Sequence, residues 1–165
     1  MVSKETQQPD RDQAIKQPNS HLCFVCGLQN ENGLGMTFYE QGPGEVTASY
    51  EVPDHFQGYP GVVHGGIVAA MLDEVAGRAA MAGNHDRFRY TAKLEIRYRR
   101  PTPLGERLQI RGWVVEQRGS RARAKAEIRL EDGTLCSEAE ALLTDLPDTV
   151  NEAQKAQLGW RVYPD

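Results

Sequence analysis

The sequence of 165 residues predicts a single α+β domain, in which one long central helix is wrapped by a curved antiparallel β-sheet of about six strands. Three observations predict this class. The run from His64 to Asn84 carries Ala, Met, Leu and Val on nearly every side of a helix, the pattern of a buried helix. Four long segments after it alternate apolar and polar residues, as strands with one wet face do. Two β-prone runs precede it, separated by the turn signal Gly42-Pro43-Gly44.

Taken in order, residues 1–20 hold few apolar groups and two prolines, which predicts a flexible leader. The domain is expected over 21–147 and a polar tail over 148–165, with a short helix at Asn151–Gln157. Gly35–Gln41 and Glu45–Val52 read as a hairpin, and Pro53–Val63, rich in Pro, Gly and aromatics, reads as a loop. The helix is expected to start after Gly65-Gly66 and to stop at Gly83-Asn84, a length of about 25 Å at 1.5 Å per residue. Tyr90–Arg100, Arg107–Gln117, Arg121–Leu130 and Thr134–Leu143 supply the remaining strands, with turn residues between them. A helix apolar all round needs cover that one sheet cannot provide, so a partner protomer is expected, in a homodimer or a dimer of dimers.

Composition excludes several classes. A net charge of −4 argues against nucleic-acid coating. The chain lacks a membrane-length apolar run and an N-terminal apolar segment, so no membrane span and a cytoplasmic location are expected. Three cysteines (Cys23, Cys26, Cys136) are too few for a disulfide framework. His21-x-Cys23-x-x-Cys26 invites a zinc reading, but zinc sites take four ligands and no second pair exists; even with Cys136 as a possible third sulfur, no metal and no cofactor are expected.

The element order, His64-Gly65-Gly66 opening the helix, Asp73 nine residues after His64, Cys23–Met36 (CFVCGLQNENGLGM), Tyr90–Glu106 and CSEAEALL near the end together resemble the hotdog-fold acyl-CoA thioesterases, in the branch of the phenylacetyl-CoA thioesterases and the thioesterase superfamily members. The likeness spans most of residues 21–146 and implies hydrolysis of an acyl-CoA thioester to free acid and CoA. Gly65 and Gly66 leave backbone N–H groups at a helix N-terminus, suited to polarising a thioester carbonyl. Asp73 lies about 10 Å further along its own helix, so it is expected to serve the helix start of the other protomer, as nucleophile or as base for water. Thr91 stands in the family position that orients that water or carboxylate. His64 either touches the acyl group or caps the helix, and Glu74 is a peripheral rival to Asp73.

Substrate contacts are expected from Asn32, which related enzymes place near substrate, although Asn30 and Asn32 equally suit a turn. Phe56 and Tyr59 in the 53–62 loop would shape the acyl pocket. Arg97, Arg99, Arg100 and Arg121 offer forked donors for CoA phosphates. Two other functions fit the same fold. Asp54–Gly61 (DHFQGYPG) echoes a segment of acyl-chain dehydratases, although Ala69 stands where those enzymes carry Glu. An acyl-CoA binding module is the other alternative.

Overall fold

The computed structural model describes residues 14–147 and 150–165. Its strands are β1 (Ile15–Lys16), β2 (Tyr39–Gly42), β3 (Glu45–Glu51), β4 (Gln57–Tyr59), β5 (Val62–Val63), β6 (Arg89–Tyr98), β7 (Arg107–Arg118), β8 (Arg121–Leu130) and β9 (Leu135–Asp145). The helices are α1 (Gly65–Met81) and α2 (Glu152–Leu158). One antiparallel sheet has the order β1-β2-β3-β7-β8-β9-β6, and β4 pairs with β5 in a separate small ribbon. The main sheet therefore has seven strands, the extra one being the two-residue β1.

Helix α1 packs across one face of this sheet. Val68, Met71, Leu72, Val75, Ala76 and Ala79 are buried against it. The facing side chains on β8 and β9 are mostly small: Ala122, Ala124, Ala126, Ala139 and Ala141 are all buried. Small residues let the helix axis approach the sheet, and Gly112 on β7 carries this to the limit. A Cβ there would stand 2.7 Å from the Val75 carbonyl carbon and nearer still to its oxygen. Gly83, at φ +79°, lies just beyond the helix end, where a left-handed residue reverses the chain.

Within one protomer α1 is not covered all round. Ala69, Ala70, Asp73, Glu74, Gly77 and Met81 form a stripe that stays partly exposed, because the sheet covers only one side of the helix. Edge strand β6 beside it also exposes Tyr90 and Tyr98.

The flexible-leader expectation is corrected for residues 14–20, while residues 1–13 lie outside the described residues. Gln17 and Asn19 are fully buried. The Gln17 amide donates to Glu40 Oε1 at 3.0 Å and to the Arg78 carbonyl at 3.2 Å. The Asn19 amide donates to the carbonyls of Cys26 (2.7 Å) and Met36 (2.8 Å). This segment is held by polar groups that satisfy buried backbone, a role that a count of apolar residues does not register. The tail also returns to the body. Asn19 bridges to Arg161, and Trp160 stacks on Phe88 with ring centroids 5.2 Å apart. Asn151 and Gln154 form a reciprocal capping box at the start of α2.

Glu40 joins these pieces: besides Gln17, the Gly83 N–H donates to it at 3.2 Å and His85 Nε2 lies 2.6 Å away. Burial pushes its pKa up, but the hydrogen bonds from Gln17, His85 and Gly83 outweigh this and hold the carboxyl below its ordinary value. A carboxyl with a depressed native pKa stabilises the fold above its unfolded pKa, about 4.3, and that contribution disappears as pH falls through the native value. Glu40→Gln is therefore expected to flatten the loss of stability between about pH 5 and 3, as urea unfolding at a series of pH values would show. An unchanged slope would mean that Glu40 does not carry this linkage.

Candidate active site

The N-terminus of α1 is built by His64, whose extended backbone precedes the first turn and whose ring Nδ1 accepts the Gly66 N–H at 3.0 Å. The His64 N–H donates to the Phe56 carbonyl at 3.0 Å, which ties the helix start to the β4–β5 ribbon. Of the two readings for His64, the structure shows the cap. It also corrects the expectation that both glycine amides stand free: a helix N-terminus must find acceptors for its first N–H groups, and the imidazole two residues before Gly66 is the nearest. At the same place the Tyr98 hydroxyl donates to the Gly65 carbonyl at 2.8 Å. Tyr98 was not singled out in the sequence, although its parity with Leu94 and Ile96 puts it on the helix side of β6.

Asp73 lies two turns along α1 and is half-buried. The Thr91 hydroxyl donates to its Oδ1 at 2.6 Å. Thr91 reaches it from β6 beside an irregularity in the ladder, where Thr91 pairs with Leu143 and Lys93 with Leu142. Such a bulge re-aims a side chain. The structure thus brings Asp73 and Thr91 together, and leaves Gly65 and Gly66 about 10 Å away along the same helix.

Asp73 and Thr91 line a cavity of about 250 Å³ together with Cys23, Cys26, Glu74 and Arg78. Arg78 is buried, packs its guanidinium over Phe38 (4.8 Å) and Trp160 (5.0 Å), and donates through Nε to Glu74 Oε1 at 2.8 Å. Glu74, expected at the periphery, so shares the cavity with Asp73. Arg89 also borders it; its guanidinium donates to Asp145 Oδ1 at 2.9 Å and to the Ala80 carbonyl.

The two sulfurs of Cys23 and Cys26 and a Glu74 carboxylate oxygen lie within 4.8 Å of one another. Cys136 is absent from this cluster; it sits on β9 beside Ser137, which pairs with Tyr98 at the opposite end of β6 from Thr91. A hydrogen bond from the Cys23 thiol favours the Cys26 thiolate and brings its pKa down to about 6, with Arg78 and Ser20 helping against burial and Glu74. The same hydrogen bond, with burial, pushes Cys23 up.

The expected substrate residues do not form one group. Asn32 is exposed, and its N–H donates to Asn30 Oδ1 at 3.0 Å in a turn of the kind these residues favour. Phe56 is half-buried and meets Phe24 edge-on at 6.3 Å, whereas Tyr59 is 79% exposed. His55 stacks on Phe56 at 4.2 Å. Arg97, Arg99 and Arg100 are exposed at the Tyr98 end of β6, with Arg99 paired to Glu138. Arg121 pairs with Thr144, the partner of Tyr90. It therefore lies level with the far end of β6, offset from Arg97 by about 23 Å along the strand direction at about 3.3 Å per residue.

A long helix packed across one seven-stranded antiparallel sheet is the architecture of a hotdog fold. Residues 60–137, just under half of the chain, match the model of the thioesterase superfamily. The acyl-coenzyme A thioesterase THEM4 of Rattus norvegicus is 32% identical over 123 residues, which cover 72% of this chain and 52% of that protein. The chain thus spans about half the length of this relative. The thioesterase superfamily protein RHA08564 is 34% identical, with a TM-score of 0.70 over 76% of this chain and 61% of that one. The protein smu.793 from Streptococcus mutans, solved bound to acetyl CoA, shares the fold at 20% identity and a TM-score of 0.62, covering 67% of this chain and 88% of that one.

Proposed function

We propose that the chain is an acyl-CoA thioesterase acting as a homodimer or dimer of dimers, with each site built across an interface between protomers. The observation that carries the proposal is the 2.6 Å hydrogen bond from Thr91 to Asp73 on the wall of a cavity, at the partly exposed side of α1. A carboxylate in so apolar a helix is costly to keep without a use. Thr91 donates to one oxygen and thereby aims the other, which attacks the thioester carbonyl or takes a proton from the attacking water. The developing oxyanion is held at the partner's helix start, where the Gly65 and Gly66 amides and the positive end of the helix dipole act together. The His64 ring turns away from the Gly66 N–H as the carbonyl arrives, and then borders the acyl group.

The names of similar proteins support the substrate class: THEM4 is an acyl-coenzyme A thioesterase, and smu.793 was solved with acetyl CoA. Arg97, Arg99 and Arg100, at the helix-start end of β6, suit the phosphates of CoA, while Arg121 reaches a substrate only from the Thr91 side of the interface. Phe56 lines the acyl end; Tyr59 and Asn32 are outer contacts.

Release of free thiol from a panel of short, medium, long and aromatic acyl-CoAs tests the proposal. Turnover of one member supports it and identifies the acyl class; tight binding with no cleavage of any member replaces it with the binding-module reading. Thr91→Val is expected to lower kcat by about 10- to 100-fold, the worth of a hydrogen bond to a charged group, with KM nearly unchanged. A rise in KM at constant kcat would instead make Thr91 a binding residue.

A further inference from the structure

We propose that Cys23 and Cys26 form an oxidation site, a dithiol that hydrogen peroxide closes to a disulfide on the wall of the cavity that holds Asp73. The turn that carries them is tight. The Cys26 N–H points at Cys23 Sγ at 3.4 Å, and the Gly27 N–H donates to the Cys23 carbonyl at 2.8 Å. Gly27 makes this closure possible, since a Cβ there would stand 2.7 Å from the Cys23 nitrogen and 2.9 Å from the His21 carbonyl oxygen. The sulfurs lie within 4.8 Å, and closure to the disulfide brings them to the bonding distance of about 2.05 Å.

The reactive partner is Cys26. Its sulfur takes a contact from Ser20 Oγ at 3.5 Å and lies near the buried Arg78 guanidinium, both of which favour the thiolate. Cys26 is itself buried, and the cavity of about 250 Å³ that it lines, several times the volume of a water molecule, is the route by which peroxide reaches it. The Cys26 thiolate attacks one peroxide oxygen and expels hydroxide, which takes up a proton as water; Cys26 is now a sulfenic acid. The Cys23 sulfur, losing its proton, then attacks the Cys26 sulfur, forms the S–S bond and releases the second water. Two electrons pass from the dithiol to peroxide. The same sulfurs with Glu74 also offer three donors to a divalent metal, but Arg78 already neutralises that carboxylate and opposes a second cation beside it.

Cys136 serves as the internal comparison, because burial pushes its thiol up and keeps it protonated. The full chain is exposed to a small excess of peroxide with EDTA present, quenched with catalase, unfolded, alkylated and mapped by mass. The expected peptide containing Cys23 and Cys26 loses two hydrogen atoms and takes no alkyl group, Cys136 is alkylated, and dithiothreitol restores both thiols. The wild-type oxidation rate is expected to level off above about pH 7. Cys23→Ser is expected to stop at the sulfenic acid, which dimedone traps. Equal rates at all three cysteines, or a rate still climbing to pH 9, would overturn the proposal. These readouts follow sulfur alone and stand apart from any hydrolase activity.

Discussion

Asp73→Asn is expected to leave the fold and the binding of acyl-CoA intact and to lower kcat by about 100- to 10,000-fold, the range for loss of a positioned acid–base or nucleophilic group. The amide is isosteric and still accepts the Thr91 hydrogen bond, so the change removes the charge and little else. Thiol release under saturating substrate, with circular dichroism on the same sample, separates a chemical from a folding effect. Hydrolysis at the wild-type rate would transfer the role to another group, and Glu74 in the same cavity is the first candidate. Its Oε1 is engaged by Arg78, however, which leaves it less free to act.

The largest effect on stability is expected from Gly112→Ala. One methyl group would be driven into the Val75 peptide of α1, and backbone on both sides of the contact must move to admit it. A loss of about 3 kcal/mol is expected, which for a domain of this size lowers Tm by about 6–12 °C. Calorimetry measures it, and a shift below about 2 °C would show that the helix slides aside at little cost.

The strands around Gly112 were the most legible part of the sequence. The predicted Arg107–Gln117 and Arg121–Leu130 meet the observed β7 and β8 within a residue, because ten residues of alternation between turn signals allow little else. The role of Gly112 was not legible: a glycine in a strand reads as a weakness until the helix above it is seen. Strands β4 and β5, three and two residues long, are shorter than any periodicity that pattern reading can use. β1 escaped because Gln17 and Asn19 look like solvent-facing residues and are in fact buried acceptors' partners. Within the site, Asp73 and Thr91 were legible as a pair through the family resemblance, and the structure sets them in contact. The His64 cap on Gly66 needed the ring's orientation, which no spacing rule contains. The separation of Arg121 from Arg97 was hidden for a related reason: distance along the chain says nothing of strand register, and register puts them at opposite ends of the sheet within one protomer.

The interfacial site is tested most directly by mixing two inactive variants. Asp73→Asn removes the carboxylate, and Gly66→Pro removes the candidate oxyanion donor at a first-turn position where proline is tolerated. Coexpressed with different tags and purified as dimers at equal dose, half of the molecules are mixed, and each mixed dimer keeps one intact site of its two. Activity is therefore expected to recover to about a quarter of the wild-type value. Recovery no greater than the sum of the two variants, from dimers shown to carry both tags, would contradict a site shared between protomers.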